Sequence, residues 1–273
     1  PSVVAAGEYK GLTLNEYIEK AGKGVLGKNC ERFENFPILI KLIDAKDNLS
    51  VQVHPDNDYA MRVEGEYGKT EMWYVVDCDE GATLLYGFKH EITKEEFARR
   101  IADNTLLEVT NAVPVKKGDV FFIKSGTLHA IGKGILIAEI QQNSNTTYRI
   151  YDYGRVGKDG KPRELHVNKA LDVTKLAPAE QYPETPVEKK DGYDIKLLSK
   201  CEYFTTYRVN VETKAELDAD ENSFNSILVL EGEPVISGGE TVSAKKGESV
   251  FISAGTGKYT VEGKCTFVLT KID

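Results

Sequence analysis

The sequence predicts a mainly β fold: two related barrels with a small helical insertion. Three observations carry this. Short runs rich in Val, Ile, Phe and Tyr dominate the chain. Gly, Asp, Asn or Pro separate them at roughly 8–15 residue intervals, the rhythm of an antiparallel sandwich or barrel. One stretch near the middle of the chain recurs further on.

The β-like runs of the first half are FPILIKLI (36–43), LSVQVH (49–54), MWYVVD (72–77), ATLLYGF (82–88), DVFFIK (119–124) and GILIAEI (134–140). Those of the second half are YFTTYRVNVE (203–212), SILVLEG (226–232), SVFISA (249–254) and CTFVLTKI (265–272). Helical patterning falls on 12–22, 92–104 and 163–173. Thr13 is a candidate N-cap, and Thr93 with Glu96 has the capping-box spacing. Residues 176–192 hold three Pro and many charges and read as a linker.

The repeat aligns KKGDVFFIKSGTLHAIGKG (116–134) without gaps on KKGESVFISAGTGKYTVEG (245–263). EMWYVVDCDEGA (71–82) lies more loosely over NSILVLEGEPVI (225–236). His129 in the first copy faces Lys258 in the second, which places the chemistry in the first. The expected domains are therefore 1–180, carrying a metal site and the helical segment near 92–104, and 181–273, a barrel lacking metal ligands.

Composition excludes several classes. Hydrophobic residues make up 41% and charged residues 29% of 273 residues, enough for a real core. The net charge of −8 gives no electrostatic reason to bind nucleic acid or an anionic membrane. No apolar run approaches the roughly 18 residues of a membrane helix. The four Cys are scattered without a CxxC and read as reduced thiols of a cytoplasmic protein. The opening at Pro1 rather than Met suggests that residues precede it.

Only four His occur: His54, His90, His129 and His166. In SVQVHP, Gln52 and His54 point to one strand face, because side chains alternate along a strand. Glu71 opens the next strong strand, and His129 closes the loop after FFIKSG. A single His beside Pro is ordinarily a turn or packed surface residue. Jointly, two imidazoles, a carboxylate and an amide oxygen make a site for zinc or another divalent first-row ion. His90 and His166 fit no such arrangement. Lys41 interrupts the apolar run FPILIKLI, where a charge is costly unless paired or facing a polar cavity. Lys69, Arg149 and Arg155 stand near the constellation, although solvation is the ordinary state of such residues, Lys69 above all. Cations lining a metal cavity imply an anionic substrate, such as a sugar phosphate or a carboxylic acid.

These residues carry a resemblance. GDVFFIKSGTLHAI is similar to the second cupin motif, with Lys124 where Pro is usual. FPILIKLIDAKDNLSVQVHPDNDYA, GKTEMWYVV and KGILIAEIQQNSNTTYRIYDYGR resemble type I mannose-6-phosphate isomerase of the short bacterial form, with RELHVNKAL (163–171) also in pattern. The resemblance implies two cupin-type (jelly-roll) barrels and one zinc per chain. It implies an aldose–ketose isomerase acting on mannose 6-phosphate and fructose 6-phosphate through an enediol. Its zinc ligands fall on Gln52, His54, Glu71 and His129; some members carry Lys at the Gln52 position. Its catalytic Arg falls on Arg149, and its pocket residues on Lys41, Ser50, Lys69, Glu139 and Arg155. Glu139, Lys69, His54 and a zinc-bound water all stand as proton carriers. The family normally begins earlier, with strands bearing W-G-G and E-x-W-x-x-S. The expected partner is a sugar phosphate, and the expected assembly a monomer or homodimer. The competing readings are a non-catalytic sugar-binding bicupin with a structural metal and an iron-dependent cupin oxygenase.

Overall fold

The computed structural model describes residues 2–157 and 160–273. The protein divides into two compact units, Ile38–Pro183 and Pro1–Pro37 with Glu184–Asp273. The N-terminal segment thus groups with the C-terminal unit, not with the expected domain 1–180. Its backbone explains this. Lys28 N–H donates to Glu221 O (3.1 Å), Asn29 N–H to Asn222 O (2.9 Å) and Phe224 N–H to Leu26 O (3.1 Å). Within this segment lies α1 (Leu14–Ala21), which opens with a full capping box between Thr13 and Glu16.

Among the described residues, the unit Ile38–Pro183 holds nine strands. They are β1 (Ile38–Ala45), β2 (Val51–Val53), β3 (Glu71–Cys78), β4 (Thr83–Phe88), β5 (Thr110–Pro114), β6 (Val120–Ile123), β7 (His129–Ala130), β8 (Ile135–Gln142) and β9 (Tyr148–Tyr151). They form a four-stranded sheet, β1-β8-β3-β6, and a five-stranded sheet, β5-β4-β7-β2-β9. Among the described residues no ladder joins the two sheets, so the closed barrel expected from the sequence is a pair of open sheets.

Period-two alternation decides what each sheet face buries. Trp73, Val75, Ile135 and Ile137 meet Leu84 and Tyr86 between the sheets. On the other face of the five-stranded sheet, Val51, Val53, Tyr148 and Ile150 pack with Phe97 and Ala170. Phe97 lies on α3 (Lys94–Ala102) and Ala170 on α4 (Val167–Val173). Earlier in the chain, α2 (Asn57–Val63) was not foreseen; Asp56 caps it by accepting Tyr59 N–H. The stretch read as a linker is partly built into this unit. Ile92 N–H donates to Leu176 O (2.9 Å), and Gly87 bridges to Pro178.

The second unit repeats the plan. Its strands are β10 (Val187–Lys190), β11 (Tyr193–Lys200), β12 (Thr205–Val211), β13 (Lys214–Ala219), β14 (Asn225–Gly232), β15 (Val235–Gly238), β16 (Glu240–Ser243), β17 (Ser249–Ile252), β18 (Gly257–Glu262) and β19 (Cys265–Lys271). The order β12-β19-β14-β17 matches β1-β8-β3-β6 strand for strand, and β16-β15-β18-β13 matches β5-β4-β7-β2. The repeat is therefore one of topology as well as sequence. At the motif it differs by one residue. Lys258, aligned on His129, has a side chain 77% exposed and pairs with Glu216 at 3.2 Å. Tyr259 takes the buried place instead, and Asn225 Nδ2–H donates to its hydroxyl at 2.9 Å.

Candidate active site and metal centre

The same alternation that builds the core of the first unit also turns polar groups inward at one end. On the four-stranded sheet Lys41 lies opposite Glu139, Glu139 opposite Trp73, and Glu71 opposite Gln141. On the five-stranded sheet Gln52 is in register with both His129 and Arg149. Their strand neighbours Val51, Val53, Ala130, Tyr148 and Ile150 face the helices, so Gln52, His129 and Arg149 face the opposite way.

His54, Glu71 and His129 are buried, and one ligand atom from each lies within 4.8 Å of the others. Glu71 Oε1 stands 3.2 Å from His129 Nε2 and 3.6 Å from His54 Nε2. These three atoms have no hydrogen-bond partner. Leaving them so in a dry interior costs about 1–3 kcal/mol each. The far ring nitrogens explain the orientation. His54 Nδ1–H donates to Thr146 O (3.0 Å), and His129 Nδ1–H to Thr127 O (2.8 Å). A carbonyl only accepts, so each Nδ1 carries the proton and each Nε2 keeps its lone pair for the centre. Trp73 packs edge-on against the His129 ring, with centroids 5.2 Å apart. Two imidazole lone pairs and a carboxylate fit a divalent metal ion.

Electrostatics hold the ligands in their binding forms. Burial, aided by the Lys69 ammonium, lowers the His54 pKa to about 4. Burial likewise lowers His129. Burial alone would raise Glu71, but the Lys69 ammonium and the imidazoles overcome it and hold the carboxyl well below its usual range. Lys69 Nζ is 2.9 Å from Glu71 Oε2 and 3.8 Å from Glu139 Oε1. Burial opposes its charge, yet these two carboxylates raise its pKa. The solvated Lys69 that the sequence suggested is thus a buried ammonium.

Beside the ligands runs a chain of alternating charge. Lys41 Nζ donates to Glu139 Oε1 (2.9 Å) and Gln141 Oε1 (2.5 Å). Trp73 Nε1–H donates to Glu139 Oε2 (3.1 Å). On the facing sheet Arg149 Nε donates to Ser50 Oγ (3.3 Å), and its Nη1 to Glu164 O (3.1 Å). Arg155 donates to Asn48 O (2.7 Å) and pairs with Asp152. Arg163 shares that carboxylate at 2.6 Å. Burial would raise Asp152, but the guanidiniums of Arg163 and Arg155 hold it below its usual range.

Three of the four expected ligands therefore converge, and Gln52 sits on the same sheet face as His129. Sequence reasoning missed Trp73, Gln141, Thr146, Asp152 and Arg163. Alternation in TEMWYVV and in ILIAEIQQ could have found Trp73 and Gln141, since each lies two residues from a site carboxylate.

A family model described as phosphomannose isomerase type I, catalytic domain, matches residues 1–81. A second, mannose-6-phosphate isomerase, cupin domain, matches residues 194–272. Mannose-6-phosphate isomerase ManA of Bacillus subtilis is 40% identical over 273 residues, 99% of this chain and 85% of the relative. The chain belongs to the type I phosphomannose isomerases. Another member of this family, the mannose-6-phosphate isomerase of Streptococcus mutans, is 39% identical over 258 residues, covering 92% of this chain and 78% of its own. A crystal structure of the Bacillus subtilis mannose 6-phosphate isomerase superposes with TM-score 0.92 at 38% identity, covering 99% of this chain and 85% of that one. Among described helices none is long and apolar enough to cross a membrane.

Proposed function

We propose that the protein interconverts mannose 6-phosphate and fructose 6-phosphate, using a zinc ion held by His54, Glu71 and His129 with Gln52 as a fourth donor. One observation carries the reading: three buried ligand atoms without hydrogen-bond partners converge beside the Lys69 ammonium, which also approaches Glu139, itself paired with Lys41. Membership of the family supports the substrate pair.

Isomerisation moves a proton between C1 and C2 and develops negative charge on the carbonyl oxygen. A zinc ion in this site supplies Lewis acidity toward that oxygen. The remaining work falls to the chain. The Arg149 guanidinium, permanently charged, stabilises the developing enediolate from the opposite sheet. Lys69 is a poor base, because its proton is held between two carboxylates. His54 has given its Nδ1–H to Thr146 O and aims Nε2 at the centre. Glu71 faces the same centre. We assign the proton transfer to Glu139, the remaining carboxylate beside the centre. Its partners Lys41 and Trp73 hold both oxygens in place. Lys41, Ser50 and Arg155 supply hydrogen bonds and positive charge for the phosphate and sugar hydroxyls.

Catalysis on this reading belongs to Ile38–Pro183, and the C-terminal repeat does no chemistry. The substrate class suits a cytoplasmic enzyme. The decisive experiment supplies mannose 6-phosphate, follows fructose 6-phosphate by a coupled assay, and measures metal content. Stoichiometric zinc without turnover would support a sugar-binding protein with a structural metal instead.

A further inference from the structure

The residue that presents Arg149 is not one that the sequence singled out. Arg149 lies on β9, the edge strand of its sheet, so among the described residues its outward backbone groups have no neighbouring strand to meet. His166 meets both. Arg149 N–H donates to His166 Nδ1 at 3.2 Å, and His166 N–H donates to Arg149 O at 2.8 Å. A backbone N–H only donates, so Nδ1 must be the unprotonated nitrogen and Nε2 must carry the proton. This is the opposite tautomer from His54 and His129.

His166 is itself anchored. It is the N-cap residue of α4, and Ala170 N–H donates to its carbonyl at 2.9 Å. Ala170 is fully buried against Tyr148 and Ile150, which flank Arg149. The loop just before it also reaches the guanidinium, through Glu164 O. Helix, loop and strand thus close around a single side chain.

We infer that His166 is a positioning residue for the isomerisation, fixing the backbone of Arg149 so that its side chain stays on the sheet face that carries Gln52 and His129. This rests on the reading of Arg149 given above. A misplacement of about 1 Å in such a group can cost about 100-fold in rate.

The test compares His166→Leu, which lacks an acceptor, with His166→Asn, whose Oδ1 can replace Nδ1. His166→Leu should lower kcat about 10–100-fold with KM little changed, and His166→Asn should recover most of the loss. In an Arg149→Ala background His166→Leu should have no further effect on kcat, because it acts through Arg149. Equal losses in the Leu and Asn variants, or additive losses in the double variant, overturn the inference and leave the Arg149 reading intact. Wild-type kcat in Arg149→Ala overturns both. Nitrogen-15 spectra of the unmutated enzyme give a readout that needs no variant to fold. His166 should show the Nε2–H tautomer, and the reverse tautomer overturns the proposal.

Discussion

His129 Nε2 and Glu71 Oε1 lie 3.2 Å apart across two different sheets, and neither has a hydrogen-bond partner. A neutral imidazole with its proton fixed on Nδ1 cannot donate to that oxygen. Two acceptors facing each other in a buried site repel unless a cation lies between them. Removing one should abolish metal binding. His129→Ala should be purified with far less than one zinc per chain by elemental analysis, whereas Gln52→Ala should keep more, since an amide oxygen is the weaker donor. Stoichiometric zinc in His129→Ala would sink the ligand assignment.

Acid should act on the metal-free protein through these imidazoles. Burial lowers the folded pKa of His54 from 6.5 to about 4 and lowers His129 as well. A group whose folded pKa is depressed in this way binds fewer protons folded than unfolded. The stability it confers is present above pH 6.5 and is lost as pH falls toward about 4. Chelator-treated protein followed by urea unfolding should therefore weaken over that window. A flat profile would contradict the buried neutral state.

Arg149 and Arg155 should separate kinetically. Arg149→Ala should lower kcat about 10²–10³-fold with little change in KM, the loss of a donor to developing charge. Arg155→Ala should raise KM with kcat nearly kept, because an unreacting phosphate is bound alike in ground and transition states. Steady-state kinetics in both reaction directions decides between the roles.

The C-terminal repeat should tolerate change at the position aligned on His129. Lys258→Ala should leave turnover and zinc content unchanged, since its side chain is exposed and pairs only with Glu216 among the groups described. Tyr259→Ala should instead cost about 3–5 kcal/mol of stability by opening a large cavity. Loss of turnover in folded Lys258→Ala would overturn the division of labour between the units.

Gly87 tests the strap formed by residues 176–183. Its φ is +69°, and a Cβ there would lie 2.5 Å from Ala179 N. Gly87→Ala should destabilise by about 1–3 kcal/mol, read from denaturant midpoints, by straining the backbone and pushing the strap away.

The alternation of apolar and polar residues made much of the fold legible. FPILIKLI, MWYVVD and GILIAEI became β1, β3 and β8, and the threonines before two of the helices became their caps. Local physics suffices there, because strand pattern and capping depend on neighbours a few residues away. Strand β9 escaped notice because it is only four residues long, and α2 because its capping Asp56 follows directly on the SVQVHP run.

The ligand types were also readable: an imidazole, a carboxylate and a second imidazole at strand ends are a chemical statement in any fold. Their convergence was not. It depends on register, which sets Gln52 against His129 and Glu71 against Gln141 across long loops. The repeat shows the same limit. Alignment put Lys258 on His129, yet the strand turned Tyr259 inward, because a one-residue slip exchanges the two faces of a sheet. Lys69 and His166 look like surface residues in the sequence. Only tertiary structure surrounds one with two carboxylates and gives the other the open backbone of an edge strand, for burial and long-range hydrogen bonding are properties of the assembled sheets.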